Sequence, residues 1–181
     1  SSLQDSPFPV KYSELDKVYN NYMKMIGKLQ GDKNKKKKKF DKPSKNGKDF
    51  IGPSSYTLQP INFVDDESID NVCLQRDSFC VTDKADGERK MLFIDVNNKL
   101  YFINTNLEIQ FTGIKIEGLA NYANTLIDGE YITTNKYGTQ ISLYAAFDIY
   151  YYEGEDIRTH SFKTDDPVKK GKKIEPRYHV L

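Results

Sequence analysis

The chain has 181 residues, with 27 Lys and Arg against 26 Asp and Glu, which gives a net charge of +1 at pH 7. This length supports one domain, or one domain with an appendage, and 13 Tyr with 10 Phe are too many aromatic residues for a wholly disordered chain. The overall charge argues against a strongly basic nucleic-acid binder.

Neither a membrane span nor a secretory leader is visible in the sequence. No apolar run approaches the roughly 18 residues that cross a bilayer, and the N-terminal residues lack a signal-peptide core. Cys73 and Cys80 are too few and too widely spaced for a zinc site or a disulfide framework. We therefore expect a cytoplasmic protein in a reducing compartment, without a membrane partner.

The first predicted element is an amphipathic helix near residues 13–30. Ser13 is its expected N-cap, with Asp16 three residues later, and Gly31 is its expected stop. We expect the apolar face to dock on this domain or on a neighbouring one, so residues 1–31 are either a helix of this protein or the end of a preceding domain. The apolar residues at helical spacing are Leu15, Val18, Tyr19, Tyr22, Met25, Ile26 and Leu29.

Residues 32–49 form a lysine-rich stretch that we interpret as a flexible linker. They contain nine Lys against three Asp, so a local charge of +6 is combined with −5 in the rest of the chain. Like-charge stretches with few apolar residues remain solvated, which favours the linker. An RNA-contacting arm is the alternative. The net charge of the whole chain is therefore a weak argument against nucleic-acid binding.

After residue 50 the sequence changes to short runs typical of β-strands. Met91 to Val96 and Lys99 to Ile103 flank Asn97-Asn98, which predicts a hairpin. Strands separated by turns that carry Asn and Gly predict an α+β fold rich in antiparallel sheet, and we assign residues 50–181 to it. Further strands are predicted at 79–82, 107–111, 126–133 and 141–151, and a short helix at 118–124.

The sharpest feature is the run Lys84-Ala85-Asp86-Gly87-Glu88-Arg89, directly after the predicted strand at 79–82. A lysine at a strand end can be held rigidly, and Gly87 lets the backbone turn and approach a ligand closely. Arg89 adds a cation whose forked donors suit phosphate or sugar oxygens. Lys84 attacks as a nucleophile only when deprotonated, a form that a nearby metal ion and Arg89 would favour.

Two downstream segments add carboxylates and an aromatic ring. Asp128 and Glu130, within Leu126 to Tyr131, are two residues apart in a predicted strand and therefore on one face, where they suit Mg²⁺ or ribose hydroxyls. Phe147 stands beside Asp148 in another predicted strand, and an exposed aromatic ring suits base stacking. Taken alone, the segment with Asp128 and Glu130 is equally well explained as a hairpin turn, and Phe147 as a core residue. Both segments follow the lysine run in the chain, and this order makes them stronger evidence for a common site.

These three segments resemble the motifs of the covalent nucleotidyltransferases, the superfamily of mRNA capping guanylyltransferases and of ATP- or NAD-dependent polynucleotide ligases. Lys84 to Arg89 looks like its KxDGxR motif, Leu126 to Tyr131 like its DGE motif, and Ala146 to Tyr150 like its FD motif. The resemblance covers about residues 50–160. Its viral character, which points to capping enzymes of large cytoplasmic DNA viruses, rests on Phe50 to Pro53, Thr57 to Pro60 and Val81 to Gly87.

The resemblance implies an mRNA guanylyltransferase with Lys84 as its nucleophile. Lys84 would take GMP from GTP and pass it to the 5′-diphosphate end of an RNA, with Mg²⁺ or Mn²⁺ as the expected cofactor. It also implies the host cytoplasm or the virion as the location if the protein is viral. The implied nucleotide contacts are Arg89 and Glu130 on the ribose and Phe147 on the base; the implied supporting residues are Asp86, Gly87, Asp128 and Asp148.

The choice between guanine and adenine rests on Thr82. Many DNA ligases of the superfamily have Glu two residues before the nucleophile, where it accepts from the amino group of adenine. A threonine hydroxyl does not impose that acceptor and can serve guanine, although Thr82 is equally a β-branched strand residue. We therefore expect GTP, and we keep ATP-dependent RNA or DNA ligation as the alternative.

The sequence departs from the superfamily pattern beyond the FD motif. We find no acidic-glycine segment and no strand with lysines that grip the α-phosphate, and Lys169 to Lys173 is better interpreted as a solvated loop. An OB-fold lobe has no room. We therefore expect one of two cases. The chain is part of a larger enzyme that has other capping domains or subunits, and it has little activity alone. Alternatively, it is a homologue that has lost activity and binds RNA or a capping subunit.

Overall fold

In the computed structural model of the chain, the described residues are 10–27, 49–67, 70, 72–76, 79–118, 122–163, 168–169, 172–173 and 175–181. They form two compact units, of which one runs up to Ile51 and resumes at Ala85, and the other is Gly52–Lys84. The lysine-rich linker lies outside the described residues except for Asp49. The division of the chain at residues 31 and 49 stays a prediction.

Six antiparallel strands form the main sheet of the first unit and confirm the predicted α+β fold. They are β1 (Glu88–Ile94), β2 (Lys99–Asn104), β3 (Ile109–Lys115), β4 (Thr125–Thr134), β5 (Gln140–Tyr152) and β6 (Glu155–Asp156). Their order is β3-β2-β1-β4-β5-β6, so that β1 pairs with β2 on one side and with β4 on the other. Val168–Lys169 (β7) and Lys172–Lys173 (β8) form a separate two-stranded pair.

The predicted hairpin is confirmed as β1 and β2, with Met91 opposite Ile103 and Phe93 opposite Tyr101. Its turn depends on the Asp95 carboxylate, which accepts the backbone N–H groups of Asn97 and Lys99 at 2.8 and 2.9 Å. Asn98 takes a positive φ of 58°, a conformation that asparagine tolerates better than most residues.

The predicted amphipathic helix is α1 (Tyr12–Met25), and its apolar face packs on the main sheet. The Tyr22 ring meets Phe93 edge to face at 6.5 Å, and its hydroxyl donates to the Asp49 carbonyl at 2.8 Å. The helix is therefore part of the first unit's core. Buried members of that core are Val18, Tyr22, Met23, Met91, Phe93, Tyr101, Ile103, Leu107, Phe111, Leu126, Tyr150 and Tyr151.

The predicted ends of this helix were wrong by a few residues. The N-cap is Lys11, because its carbonyl accepts the first helical N–H groups, and it makes no side-chain cap bond. Ser13, the predicted N-cap, lies inside the first turn. The helix ends before Gly27, which takes φ +74°, a conformation open to glycine. Gly31, the predicted stop, lies outside the described residues.

The second unit, Gly52–Lys84, is organised around the buried side chain of Asn62. Asn62 belongs to a 3₁₀ helix, Pro60–Phe63, and its side chain accepts the Gln59 N–H at 2.7 Å while donating to the Val72 carbonyl at 2.8 Å. Its own carbonyl accepts the Leu74 N–H at 2.9 Å. The Asn62 side chain thus links the start of the 3₁₀ helix to Val72, and the Asn62 backbone adds a bond to the same segment at Leu74.

The strand predicted at 79–82 is not formed. These residues are exposed coil within the second unit, with Val81 98% exposed, so the run buries no apolar face that would stabilise a strand. The short helix predicted at 118–124 lies partly on residues 119–121, which are not described, and Ala123 and Asn124 form a turn. None of the helices in the described ranges has the length and apolar character needed to span a bilayer.

Candidate active site

The lysine motif leads into β1 instead of following a strand. Thr82 and Lys84 are exposed residues at the end of the second unit, and the chain passes from Lys84 directly to Ala85, where the first unit resumes. Asp86 and Gly87 are also exposed, and β1 begins at Glu88. The motif arginine is therefore fixed within a central strand, whereas the motif lysine precedes it.

Gly87 lies against β4 so closely that no side chain fits there. A Cβ atom at Gly87 would stand 2.6 Å from the Tyr131 carbonyl oxygen and 3.0 Å from the Ile132 side chain. The Gly87 N–H donates to the Glu130 carboxylate at 3.1 Å. The glycine of the lysine motif and the glutamate of the DGE motif are thus joined by a direct hydrogen bond.

Arg89 is held by the buried carboxylate of Asp128. Arg89 Nε lies 3.1 Å from Asp128 Oδ1 and Nη2 lies 2.5 Å from Oδ2, with Asp128 fully buried and the arginine side chain 27% exposed. The strand register places Arg89 opposite Glu130, so the guanidinium reaches diagonally to Asp128. The hydrogen bond to Asp128 raises the pKa of Arg89 further, against the opposing effect of burial. Its guanidinium also lies over the Phe50 ring at 5.4 Å.

A second donor, Tyr150, completes the environment of Asp128. The Tyr150 hydroxyl donates to Asp128 Oδ2 at 2.6 Å, and burial together with this bond raises the pKa of the phenol. Ile127 is opposite Ile149, whereas Leu126 is opposite Tyr151, so Tyr150 is the extra residue of a β-bulge in β5. The bulge lets this tyrosine reach the carboxylate on the neighbouring strand.

Phe147 occupies a second bulge of β5. Asp128 pairs with Asp148 and Gly129 with Ala146, which leaves Phe147 as the extra residue, and its side chain is half-buried. Bulges re-aim side chains and occur often beside active sites. Asp148 itself binds Arg177, whose Nε lies 2.8 Å from Oδ1 and whose Nη2 lies 3.1 Å from Oδ2.

The glycine of the DGE motif is also required by close packing. A Cβ atom at Gly129 would meet the Ala145 carbonyl oxygen and the Tyr144 ring, each at 2.6 Å. Tyr144 crosses the strand there, and its hydroxyl shares its one proton between the carbonyls of Lys90 and Ile127, at 2.9 and 3.1 Å. Both motif glycines therefore allow β4 to lie tightly between its neighbours.

The motif carboxylates are largely engaged with protein donors. Asp128 binds Arg89 and Tyr150, Asp148 binds Arg177, and Glu130 accepts the Gly87 N–H. No group of three or more His, Cys, Asp or Glu side chains within the described ranges could hold a metal ion. These residues do not assemble a resident metal site.

An open cleft of about 440 Å³ begins at the lysine motif. It takes in the backbone turn at Asp86 and Gly87 and extends along the end of β4. Hydroxyl and carboxylate groups dominate it, which makes it polar. It is lined by Asp86, Gly87, Glu88, Tyr131, Thr133, Thr134 and Asn135.

Sequence reasoning missed three residues that organise these motifs. Tyr150 lies in a run of three tyrosines, 150–152, whose side chains are expected to alternate between the two faces of a strand. The β-bulge that turns Tyr150 towards Asp128 has no signal in the sequence. Arg177 is 29 residues from Asp148 in the chain. Phe50 belongs to the run Phe50 to Pro53, on which the resemblance to viral capping enzymes partly rests, but nothing in its position predicted a ring beside Arg89.

An antiparallel sheet with a glycine-dependent lysine motif, a DGE strand and an FD strand is the core of a nucleotidyltransferase-type domain. The family described as mRNA capping enzyme, catalytic domain, matches residues 21–177, and the chain belongs to this family. The expected kinship with capping enzymes is thereby confirmed.

Two curated relatives are mRNA capping enzymes. A probable mRNA-capping enzyme of Acanthamoeba polyphaga mimivirus is 30% identical over 156 residues, which are 86% of this chain and 11% of that protein. An mRNA-capping enzyme of Danio rerio is 28% identical over 116 residues, or 60% of this chain and 19% of that protein. The chain therefore spans less than a fifth of the length of either relative.

Proposed function

We propose that this chain is the nucleophile-bearing part of an mRNA guanylyltransferase within a larger enzyme. It would take GMP from GTP and transfer it, through a lysyl-GMP intermediate, to a 5′-diphosphate RNA end. The observation that carries the proposal is the pair formed by Arg89 and the buried Asp128, because it fixes a cation five residues after Lys84 in a chain of the capping family.

The first proposed step is attack of the Lys84 amine on the α-phosphorus of GTP. The ammonium first loses a proton to solvent, and the nitrogen–phosphorus bond then forms while the bond from the α-phosphorus to the bridging oxygen breaks. Pyrophosphate leaves with that electron pair, and the nitrogen loses a second proton to solvent. In the second step a terminal oxygen of the RNA diphosphate attacks the same phosphorus, the nitrogen–phosphorus bond breaks, and the Lys84 nitrogen regains its two protons from solvent. Such transfers depend mainly on positioning and on cations that stabilise phosphate charge.

The other motif residues would hold the nucleotide. Arg89 and Glu130 would contact the ribose, Phe147 would stack on guanine, and Thr82 would contribute to base choice. The bidentate bond to Asp128 supports the role of Arg89, since a guanidinium held in one orientation binds a ligand at lower entropic cost. The bulge supports the role of Phe147, because it sets this ring apart from the regular alternation of β5.

The supporting residues would act through these groups. Asp128 would orient Arg89, Gly87 would bring the turn against β4, and Asp148 would stabilise the bulge that carries Phe147. Asp86 would line the entrance at the lysine motif, where it borders the cleft.

The proposed partners follow from the same chemistry. GTP would enter as its Mg²⁺ or Mn²⁺ complex, in which the ion shields the phosphate charge, and this complex is part of the substrate. The acceptor is the RNA 5′ end. Other capping domains or subunits would supply what these 181 residues lack, including lysines that grip the α-phosphate, so we expect little labelling by this chain alone. The host cytoplasm or the virion is the proposed place of action if the protein is viral.

Label transfer from α-labelled GTP to the full-length protein tests the proposal. The comparison is between wild type, Lys84→Ala, and Lys136→Ala, which removes an exposed lysine from the β4–β5 turn. We expect label in the wild type and in the Lys136 variant and none in the Lys84 variant. Label that survives Lys84→Ala would remove Lys84 as the nucleophile.

A parallel reaction with α-labelled ATP separates the alternatives. Preferential labelling by ATP would indicate a ligase-type adenylyltransferase. If neither nucleotide labels the protein, and RNA affinity disappears when residues 33–48 are deleted, the chain is a non-catalytic RNA-binding module instead. That RNA affinity would fall steeply with salt, because it would depend on lysine–phosphate contacts.

A further inference from the structure

Arg177 lies outside the sequence motifs, and its guanidinium makes four hydrogen bonds. It is the first residue of the short helix α2 (Arg177–Val180). Its Nε and Nη2 bind the two oxygens of Asp148, and its Nη1 donates to the backbone carbonyls of Arg158 and His160. The guanidinium also lies over the Phe162 ring at 5.7 Å. One side chain thereby ties the segment after β6 to the middle of β5.

The Asp148 carboxylate is committed to this contact. Its Oδ1 accepts from Arg177 and from the Ile149 N–H at 2.8 Å each, and its Oδ2 accepts from Arg177 at 3.1 Å. The two side chains are only 19% and 16% exposed, so a bidentate pair there is less screened than one at the surface. Both oxygens of this motif acid are therefore engaged by Arg177.

The contact is made at the residue next to Phe147. Phe147 is the extra residue of its bulge, and the regular strand ladder is locally interrupted there. A local conformation that the ladder does not fix needs support from other contacts. The Arg177–Asp148 pair supplies that support one residue from the aromatic ring.

We propose that Arg177 is a positioning residue for the nucleotide base. It holds Asp148, and through Asp148 the bulge, so that the Phe147 ring is presented to the purine. This inference rests on the proposed function and gives Arg177, which lies outside the sequence motifs, a part in nucleotide recognition.

The test compares Arg177→Gln with Arg158→Gln in the full-length protein. Arg158 makes a bidentate pair of the same chemistry with Asp156, but both side chains are 41% exposed, which makes it a matched control. We measure KM and kcat for GTP in label transfer, the equilibrium affinity for GTP, and competitive inhibition by ribose 5-triphosphate, which has no base.

Arg177→Gln should raise KM and weaken GTP affinity about tenfold, the size of one base–aromatic stacking contact, while kcat at saturation changes less than about twofold. Inhibition by ribose 5-triphosphate should stay unchanged. Phe147→Ala should give the same pattern, and the double variant should lose no more than either single one. Arg177→Lys should recover part of the affinity, and Arg158→Gln should match the wild type.

Equal losses for GTP and for ribose 5-triphosphate would overturn the proposal, because they would indicate general unfolding of the site. Unchanged GTP affinity in Arg177→Gln would overturn it as well. Both results are distinguishable from failure of the proposed function, which is label that survives Lys84→Ala or a preference for ATP. The equilibrium binding measurement gives an answer even where label transfer is slow.

Discussion

Asp128 and Asp148 lie opposite each other on β4 and β5, and each carboxylate is neutralised by its own arginine, Arg89 for Asp128 and Arg177 for Asp148. Two like charges directly across an antiparallel pair destabilise a sheet unless each has a partner. The arginines approach from β1 and from α2. The DGE and FD motifs are thereby linked to two separate parts of the chain through buried or half-buried ion pairs.

Replacement of Asp128 by Asn should be strongly destabilising. Asn keeps the size of the side chain but leaves the half-buried Arg89 without its carboxylate, and breaking such a buried pair costs about 3–5 kcal/mol. Label transfer should fall about a hundredfold, because misplacement of a positioned group has effects of this order. Urea unfolding and label transfer from GTP are the measurements.

Asp156→Asn is the matched control for that experiment. It breaks an Arg–Asp pair of the same bidentate geometry, but with Asp156 and Arg158 both 41% exposed. An exposed pair is worth about 1 kcal/mol or less, so stability and label transfer should be almost unchanged. Equal losses in both variants would contradict a special role for Asp128.

Gly87→Ala should separate β1 from β4 at the lysine motif. The new methyl group would stand 2.6 Å from the Tyr131 carbonyl oxygen, a backbone atom that cannot turn aside. We expect a loss of about 3 kcal/mol in unfolding free energy, at the upper end of overpacking costs. The Gly87–Glu130 hydrogen bond should weaken with it.

Gly113→Ala on β3 is the control for steric crowding. No atom lies within 4 Å of a Cβ there, and the penalty comes only from its φ of +83°. That strain costs roughly 1–2 kcal/mol. If Gly113→Ala proves as costly as Gly87→Ala in urea unfolding, close approach to β4 is not what requires the glycine.

The strands were predictable where alternate residues are apolar, and less so around the candidate active site. The β1–β2 hairpin follows from alternating apolar residues and an Asn-Asn turn, so its register could be predicted from the sequence. The strand at 79–82 was not formed, because a β-branched and aromatic composition does not supply a partner strand. The positions of β-bulges depend on how β5 fits β4, and the sequence of β5 alone contains no mark of them.

The three sequence motifs were found, but their mutual contacts were not. Asp128 and Glu130 were expected on one face of their strand, with Glu130 on the ribose and Asp128 in a supporting role. In the structure Asp128 binds Arg89, and Glu130 accepts the Gly87 N–H. That difference arises because Arg89 reaches diagonally across the pair instead of straight to its neighbour. Choices between two acceptors a few ångströms apart are decided by packing, which single-sequence patterns do not encode.

Glu14 should make the docking of α1 pH-dependent on the acid side. Glu14 Oε1 accepts from Lys99 Nζ at 2.6 Å and from the Tyr101 hydroxyl at 3.0 Å, and the bond to Lys99 is the main cause that lowers the pKa of Glu14. A carboxyl whose pKa is lower in the folded state adds stability above its ordinary pKa of about 4.3, and this is lost as the pH falls. Glu14→Gln should therefore lower Tm by a few degrees at neutral pH and have almost no effect near pH 3.

Thermal unfolding from neutral to acid pH measures this difference. Glu117→Gln, at an exposed position after β3, serves as the control and should follow the wild type throughout. A Tm difference between wild type and Glu14→Gln that persists at the lowest pH would show that the contact acts through packing and not through the charge of Glu14.

Buried tyrosines should make the fold unstable in alkali. Burial is the main cause that raises the pKa of five phenols, those of Tyr22, Tyr101, Tyr144, Tyr150 and Tyr151. A group with a raised pKa in the folded state leaves stability intact below its ordinary value of about 10, and removes stability as the pH rises beyond it, because the unfolded chain releases the proton more readily.

After a jump to alkaline pH, these five of the 13 tyrosines should ionise only as the chain unfolds. Tyrosinate absorbance should therefore show a slow phase that coincides with loss of the circular dichroism of the sheet. Tyr150→Phe should reduce the slow amplitude by about a fifth and, by depriving Asp128 of a donor, cost about 1–3 kcal/mol at neutral pH. A single fast phase with the circular dichroism unchanged would contradict the burial of these phenols, and with it the hydrogen bond by which Tyr150 supports Asp128 and Arg89.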